Sequence, residues 1–192
     1  MPADSPRVAP VEYTRRAMSG PTSEGSTDTA LETDTGGAND ALHVVLVEPE
    51  IHGNTGNIGR SCLATGAQLH LVEPLGFSLD DAHVRRAGLD YWRHVQPQVW
   101  GSWEHIESRL PELGEPWFFS AEGKRLLWDV EYPRRTVLLF GRESAGFSNE
   151  TRDRYADRMV RIPIVGQRVR SLNLANSVAV ALCEVLRQRL SV

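Results

Sequence analysis

The sequence predicts an α/β fold, a mostly parallel sheet with helices on both faces, over residues 41–192. Three observations carry the prediction. Short, nearly continuous apolar runs such as Leu42-His43-Val44-Val45-Leu46-Val47 recur, the form taken by strands buried on both sides. Segments with apolar residues at helical spacing separate them. The connections after these runs are rich in glycine, asparagine and charge, which suits loops rather than strands.

In chain order, residues 42–47 read as the first strand and residues 57–65 as a short helix closed by Gly66, whose missing Cβ suits the left-handed position that ends helices. Residues 68–72 form the second strand. After a polar segment at 80–86, residues 95–99 read as another strand, and Ser102 caps a helix whose Trp103, Ile106 and Leu110 share one face. Strands are expected at 117–120 and 136–140, with one more ending near Arg161. The closing helix, at about 174–188, places Leu174, Val178, Ala181, Leu182 and Val185 at core spacing behind Asn173 as N-cap.

The chain of 192 residues, 41% hydrophobic and 24% charged, suits one domain with a substantial core. Residues 1–40 are different. They hold four Pro, four Gly, four Ser and six Thr with Tyr13 as the sole aromatic, so a disordered acidic tail is expected there. Its seven acids against three arginines account for the net charge of −4, leaving 18 acids and 18 bases in residues 41–192. That balance excludes a histone-like positive coat and leaves nucleic-acid binding open. Cys62 and Cys183, without a CxxC pair, form neither a disulfide framework nor a zinc site, and the six histidines lack ligand spacing, so no metal is expected. No apolar run approaches a membrane span and none opens the chain as a leader, so the expected compartment is cytoplasmic, with no membrane contact.

In open α/β sheets ligands lie beyond the carboxyl ends of strands, and three loops there carry unusual chemistry. The first, residues 48–60, combines Gly53, Gly56 and Gly59 with Asn54, Asn57 and the planar donor fork of Arg60. A dinucleotide site is an alternative, since Glu73 follows Gly53 by 20 residues, but the Gly-x-Gly of the tight phosphate turn is missing. A glycine-rich turn with no ligand is another. The second loop, residues 140–148, sets Glu143 between Gly141 and Gly146, where it can accept hydrogen bonds from a ligand, order an arginine, or sit in a solvated turn. The third, residues 161–176, gathers Arg168, Arg170, Ser171, Asn173 and Asn176 before the last helix, where free backbone amides favour anions. Capping by Asn173 explains only one of these.

Together, Asn54-Thr55-Gly56-Asn57-Ile58-Gly59-Arg60, Phe140-Gly141-Arg142-Glu143-Ser144-Ala145-Gly146 and Ser171-Leu172-Asn173-Leu174-Ala175-Asn176 resemble, in order and spacing, the three motifs of SPOUT-class RNA 2'-O-ribose methyltransferases. Glu48-Pro49-Glu50-Ile51, Leu71-Val72-Glu73-Pro74-Leu75-Gly76-Phe77 and Arg85-Arg86-Ala87-Gly88-Leu89-Asp90-Tyr91 resemble the TrmL (YibK-like) subfamily, which methylates the wobble nucleotide 34 of tRNA, a cytidine or uridine. The resemblance covers about residues 42–190. It departs at His52-Gly53, where the subfamily commonly has a proline pair, and at Arg142, where it often has proline.

The resemblance implies a C-terminal trefoil knot, a topology that general rules count as rare. It also implies a homodimer acting on tRNA, and S-adenosylmethionine held in bent form by backbone groups of three loops, with S-adenosylhomocysteine as product. By position, the cofactor loops contain Phe119, Gly141, Ile162, Ser171 and Leu172. The implied catalytic set is Arg60, Asn54, Glu143, Ser171 and Asn173. Arg60 meets the target ribose and phosphate, Asn54 and Glu143 position Arg60 or the nucleotide, and Ser171 with Asn173 line the shared pocket. A guanidinium keeps its proton in proteins, so Arg60 is expected to stabilise the developing alkoxide while a phosphate oxygen or water takes the proton. Arg60, Arg142, Arg168 and Arg170 are the expected RNA contacts, with Arg85, Arg86, Arg134, Arg135, Arg152, Arg154 and Arg158 as further candidates. Two other readings stand beside this one: a SPOUT enzyme for another tRNA position or for ribosomal RNA, and an RNA- or nucleotide-binding module without turnover.

Overall fold

The computed structural model describes residues 41–79, 91–166 and 168–190. Its strands are β1 (Ala41–Val47), β2 (Gln68–Val72), β3 (Gln98–Trp100), β4 (Glu115–Phe119), β5 (Arg125–Leu126), β6 (Arg135–Phe140) and β7 (Met159–Arg161). They pair in parallel in the order β3-β2-β1-β6-β4-β7-β5. β1 lies inside the sheet, with Leu46 beside Leu71 of β2 and Phe140 of β6. This position explains why its apolar run is nearly continuous.

Side-chain alternation sorts the core into two layers. Val44 and Leu46 face one side, where they meet Ile58 and Cys62 of α1 (His52–Thr65) and Val178, Ala181, Leu182 and Val185 of α6 (Leu174–Leu190). Val45 and Val47 face the other, with Phe118, Leu139, Phe147, and Ile106 and Leu110 from α3 (Trp103–Glu107) and α4 (Leu110–Leu113). Helices therefore cover both faces, as the sequence predicts. Two more short α-helices, α2 (Trp92–Val95) and α5 (Asn149–Arg154), and two 3-10 turns, Leu127–Asp129 and Ala156–Arg158, complete the described elements.

Three boundaries differ from the sequence expectation. The first helix begins at His52 rather than at residue 57, so the first motif is helical and its Gly59 serves helix packing. A Cβ at Gly59 would stand 2.8 Å from Trp92 Cζ3 and 3.1 Å from Val95 Cγ2, so α1 approaches α2 only because residue 59 has no side chain. The strand expected at 95–99 is Gln98–Trp100, because Val95 closes α2 and Gln96 turns the chain at φ 42°. The helix expected after Ser102 is two helices. Pro111 lacks the amide needed to continue from α3, and the Ser102 hydroxyl engages the Glu104 carboxylate instead of capping a backbone N–H. Trp103, Ile106 and Leu110 still pack on one layer. Residues 1–40 and the polar segment at 80–86 lie outside the described residues.

The second layer contains a directed polar chain. Trp100 Nε1 donates to His70 Nδ1 at 3.0 Å, so a neutral His70 carries its proton on Nε2 and donates it to His43 Nδ1 at 2.9 Å. His70 is fully buried, and burial pulls its imidazole down to about 4. Both cysteines are free thiols. Cys62 is buried, which pushes its thiol up to about 12.

Candidate functional site

The loops beyond the carboxyl ends of β1, β4, β6 and β7 converge on a cavity of about 660 Å³, within the size range of small-molecule sites. Phe119, Gly141, Ile162, Ser171 and Leu172, expected as cofactor contacts, all line it. So do Asn54, Glu143, Asn173, Arg142 and Arg170. Apolar walls come from Phe119, Phe140, Ile162, Ile164 and Leu172, with Phe119 and Phe140 stacked at 4.9 Å between ring centroids.

One wall is a tight hairpin, residues 141–147. Arg142 N donates to Gly146 O at 3.2 Å and Gly146 N to Arg142 O at 2.8 Å, while Gly146 takes φ 67°, which favours glycine. A Cβ on Gly141 would lie 2.6 Å from both Gly146 O and Phe147 N. The turn is this close only because residue 141 has no side chain, and Gly141 and Gly146 line the cavity with backbone alone. A flat aromatic surface beside unhindered backbone donors and acceptors fits a nucleoside, and the remaining volume accommodates an amino-acid chain. These residues therefore fit S-adenosylmethionine.

A hydrogen-bond chain borders the cavity. Asn173 caps α6, its Oδ1 accepting from Ala175 N at 2.9 Å and Asn176 N at 3.4 Å, so its amide nitrogen points away from the helix. That nitrogen donates to Asn54 Oδ1 at 2.9 Å, and Asn54 Nδ2 in turn donates to Glu143 Oε1 at 3.0 Å. Each amide orientation is fixed by the one before it. Glu143 also accepts from Glu50 N at 2.8 Å and Ile51 N at 3.3 Å, placing a carboxylate where α1 begins and where its dipole favours negative charge. Ile51, the N-cap residue, supplies no side-chain cap itself. The sequence reading missed Glu50 and Ser144: Ser144 N and Oγ donate to the two Glu50 carboxylate oxygens at 2.8 and 2.7 Å. Glu50's position within the first loop was the available signal.

Arg60 stands elsewhere. It is exposed on α1 with its guanidinium 5.1 Å from the centroid of the Tyr91 ring, and it does not line the cavity. Arg168 is exposed outside the lining as well, and Arg142 pairs with Glu48 at 3.3 Å. Several other arginines are held in ion pairs, and one of them, Arg152, also lines the cavity. Arg152 pairs with Glu122, Arg154 with Glu107 and Glu150 at 2.9 Å each, and Arg158 with Glu115 beneath the Trp117 ring. Arg85 and Arg86 lie outside the described residues. Among those described, no group of His, Cys, Asp and Glu could hold a metal ion, and no helix is long and apolar enough to cross a membrane.

Comparison with known proteins finds one family profile, the SpoU rRNA Methylase family, over residues 41–183. The tRNA (cytidine(34)-2'-O)-methyltransferase of Burkholderia pseudomallei (strain 1106a) is 44% identical over 149 residues, 77% of this chain and 95% of that protein. Its counterpart in Polaromonas sp. (strain JS666) is 44% identical over 151 residues, 77% of this chain and 90% of that protein. A solved structure concerned with 2-OH methylation of C/U34 on tRNA superposes with TM-score 0.75 at 41% identity, covering 80% of this chain and 99% of that one. The SpoU methyltransferase AviRb from Streptomyces viridochromogenes, in complex with the cofactor AdoMet, gives TM-score 0.68 at 29% identity, covering 80% of this chain and 62% of that one.

Proposed function

Since the chain belongs to the SpoU rRNA methylase family, we propose that it is a tRNA 2'-O-methyltransferase, moving a methyl group from S-adenosylmethionine to the ribose 2'-hydroxyl of nucleotide 34, a cytidine or modified uridine. The observation that carries the reading is the chain from Asn173 through Asn54 to Glu143 at the rim of a cavity walled by aromatic rings and bare backbone.

Bound S-adenosylmethionine supplies an electrophilic methyl group, and S-adenosylhomocysteine is left. Phe119, Gly141, Ile162, Ser171 and Leu172 hold it by packing and backbone groups, in a cavity that excludes bulk water from one side. The chain's own task is mainly alignment, because in-line transfer depends on holding two reactants at bonding distance. Asn54 and Glu143 position the nucleotide at the rim, and Ser171 with Asn173 line the shared pocket. Arg60, Arg142, Arg168 and Arg170 take RNA phosphates, and Arg60, which does not line its own chain's cavity, stabilises the alkoxide that develops on the ribose oxygen at the cavity of the partner copy in the homodimer. A phosphate oxygen or water takes the proton.

The reading includes a homodimer and a trefoil knot. Ile51, Leu63, Val180 and Leu172 leave apolar surface uncovered near the cavity and on the packed pair α1 and α6, which supports a second copy as cover. The knot is supported by β7 inserting between β4 and β5 before residues 162–173 return to α6. A tRNA substrate puts the work in the cytoplasm.

The test is methyl transfer from labelled S-adenosylmethionine to unmodified total tRNA, with mapping of the new 2'-O-methyl group. Label at position 34 is expected. Label at another tRNA position or on ribosomal RNA would redirect the substrate assignment, and cofactor binding without transfer to any RNA would refute turnover.

A further inference from the structure

The two loops that flank the cavity rim are tied together by a crossed pair of carboxylates, of which only Glu143 has a place in the reading above. Glu143 reaches across to the backbone of Glu50 and Ile51 and to the Asn54 side chain. Glu50 reaches back, its Oε2 accepting from Ser144 N at 2.8 Å and its Oε1 from Ser144 Oγ at 2.7 Å. Each side chain thereby holds the main chain of the other's loop. The Glu50 backbone is pinned from its far side too. Gly76 N donates to Pro49 O at 2.9 Å, and a Cβ on residue 76 would lie 2.7 Å from Glu50 Cα and O, so the loop after β2 closes on Glu50 only through a glycine.

We propose that Glu50 is a positioning residue for methyl transfer, a carboxylate that sets the cofactor-side hairpin 141–147 against the start of α1 and so places Glu143 and Asn54 at the rim. The proposal rests on the function read above. Glu50 belongs to neither apolar layer, and the hairpin keeps its own pair of backbone bonds between Arg142 and Gly146 without it, so the fold does not depend on this contact. What depends on it is the register of the hairpin against α1. Hydrogen bonds from Ser144 also hold the Glu50 carboxyl below the usual carboxylate range.

The geometry ranks the substitutions. Glu50→Gln keeps the length, and its amide oxygen can accept from Ser144 N while its NH2 donates to the hydroxyl oxygen, so the clasp survives neutralisation. Glu50→Asp is one methylene short, and Glu50→Ala removes the clasp. The measurements are melting temperature, S-adenosylmethionine affinity by calorimetry, amide hydrogen exchange at residues 50–54 and 143–144, and kcat and KM for unmodified tRNA. Glu50→Ala is expected to lower kcat about 100-fold, the loss typical of a misplacement near 1 Å. It should also weaken cofactor affinity and speed exchange in both loops by about tenfold, with the melting temperature held within a few degrees. Glu50→Gln should stay within about threefold of the parent in every readout, and Glu50→Asp should follow Glu50→Ala.

Parent-like kcat, affinity and exchange in Glu50→Ala would overturn the proposal. So would equal impairment of the Gln and Ala variants in step with a fallen melting temperature, because that pattern marks a structural role alone. Exchange and cofactor affinity need no RNA. If the parent protein methylates no RNA while Glu50→Ala still loosens both loops, the substrate reading fails and the clasp stands.

Discussion

At the carboxyl ends of β1 and β6, Asn173, Asn54 and Glu143 form a polar chain that borders a cavity, whereas in the β1–β2–β3 half His43, His70 and Trp100 form one closed among the strands. Both satisfy buried or half-buried polar groups, and both have their direction set by a fixed donor or acceptor at one end. They differ in what that end is. The first chain runs from a helix cap to a carboxylate that also holds backbone amides, so a change in any member is felt at the cavity rim. The second runs from an indole through imidazoles that stay neutral in the fold, so its members trade only in stability. The contrast separates a polar network used for alignment from one that completes a sheet.

The strongest way to break the comparison is Glu143→Ala. Three N–H donors lose the acceptor that holds the cavity rim in place, so methyl transfer should fall about 1000-fold, roughly 4 kcal/mol, in steady-state kinetics on unmodified tRNA. Activity within a few-fold of the parent would put the site chain in the same class as the histidine chain.

Next in size is the acid response of the closed chain. In the unfolded state His70 takes a proton near pH 6.5, and in the fold only near 4, so the unfolded state binds the extra proton between those values. Stability from this group is complete above pH 6.5 and falls as the pH drops towards 4, by about 3 kcal/mol. His43, also lowered by burial and by the Arg135 charge, adds in the same direction. Denaturant melts at a series of pH values read the loss, and imidazole chemical shifts should show His70 still neutral at pH 5.

Gly141→Ala tests the cavity wall itself. The added methyl meets the backbone of Gly146 and Phe147, which cannot move as a side chain end can, and a loss of about 2 kcal/mol with weakened S-adenosylmethionine binding is expected from melts and calorimetry. The smallest effect belongs to Trp100→Phe. It leaves His70 Nδ1 without its donor, at a cost of about 1 kcal/mol, with methyl transfer unchanged once the protein is folded. A loss of turnover there would join the two networks and erase the distinction.

Much of this was legible in the sequence because it rests on local or periodic features. β2 has the bounds that its apolar run gives, Gly66 ends α1 at φ 68°, and Asn173 caps α6, whose buried Val178, Ala181, Leu182 and Val185 follow helical spacing. Of the candidate site, the five residues expected as cofactor contacts and Asn54, Glu143 and Asn173 share one cavity. The start of α1 was not legible. Its stabilising carboxylate comes from Glu143, 92 residues beyond Ile51, and no local residue announces it. Nor was the placement of Arg60: the expected helix already held it, but its neighbour is Tyr91, 31 residues further on, which only tertiary packing brings within reach.

The sequence by itself determined β1, β2, β4 and β6, the closing helix, the glycines that permit tight turns, and the residue types available beyond the strand ends, because propensity, periodicity and the lack of a Cβ act within a few residues. The tertiary structure alone decided which polar atoms meet. Glu50 finds Ser144, Glu143 finds Asn54, and Asn54 finds Asn173 only after parallel pairing brings the ends of β1 and β6 together, since a hydrogen bond exists over a few tenths of an ångström and the contacts that set that distance are spread over the whole sheet.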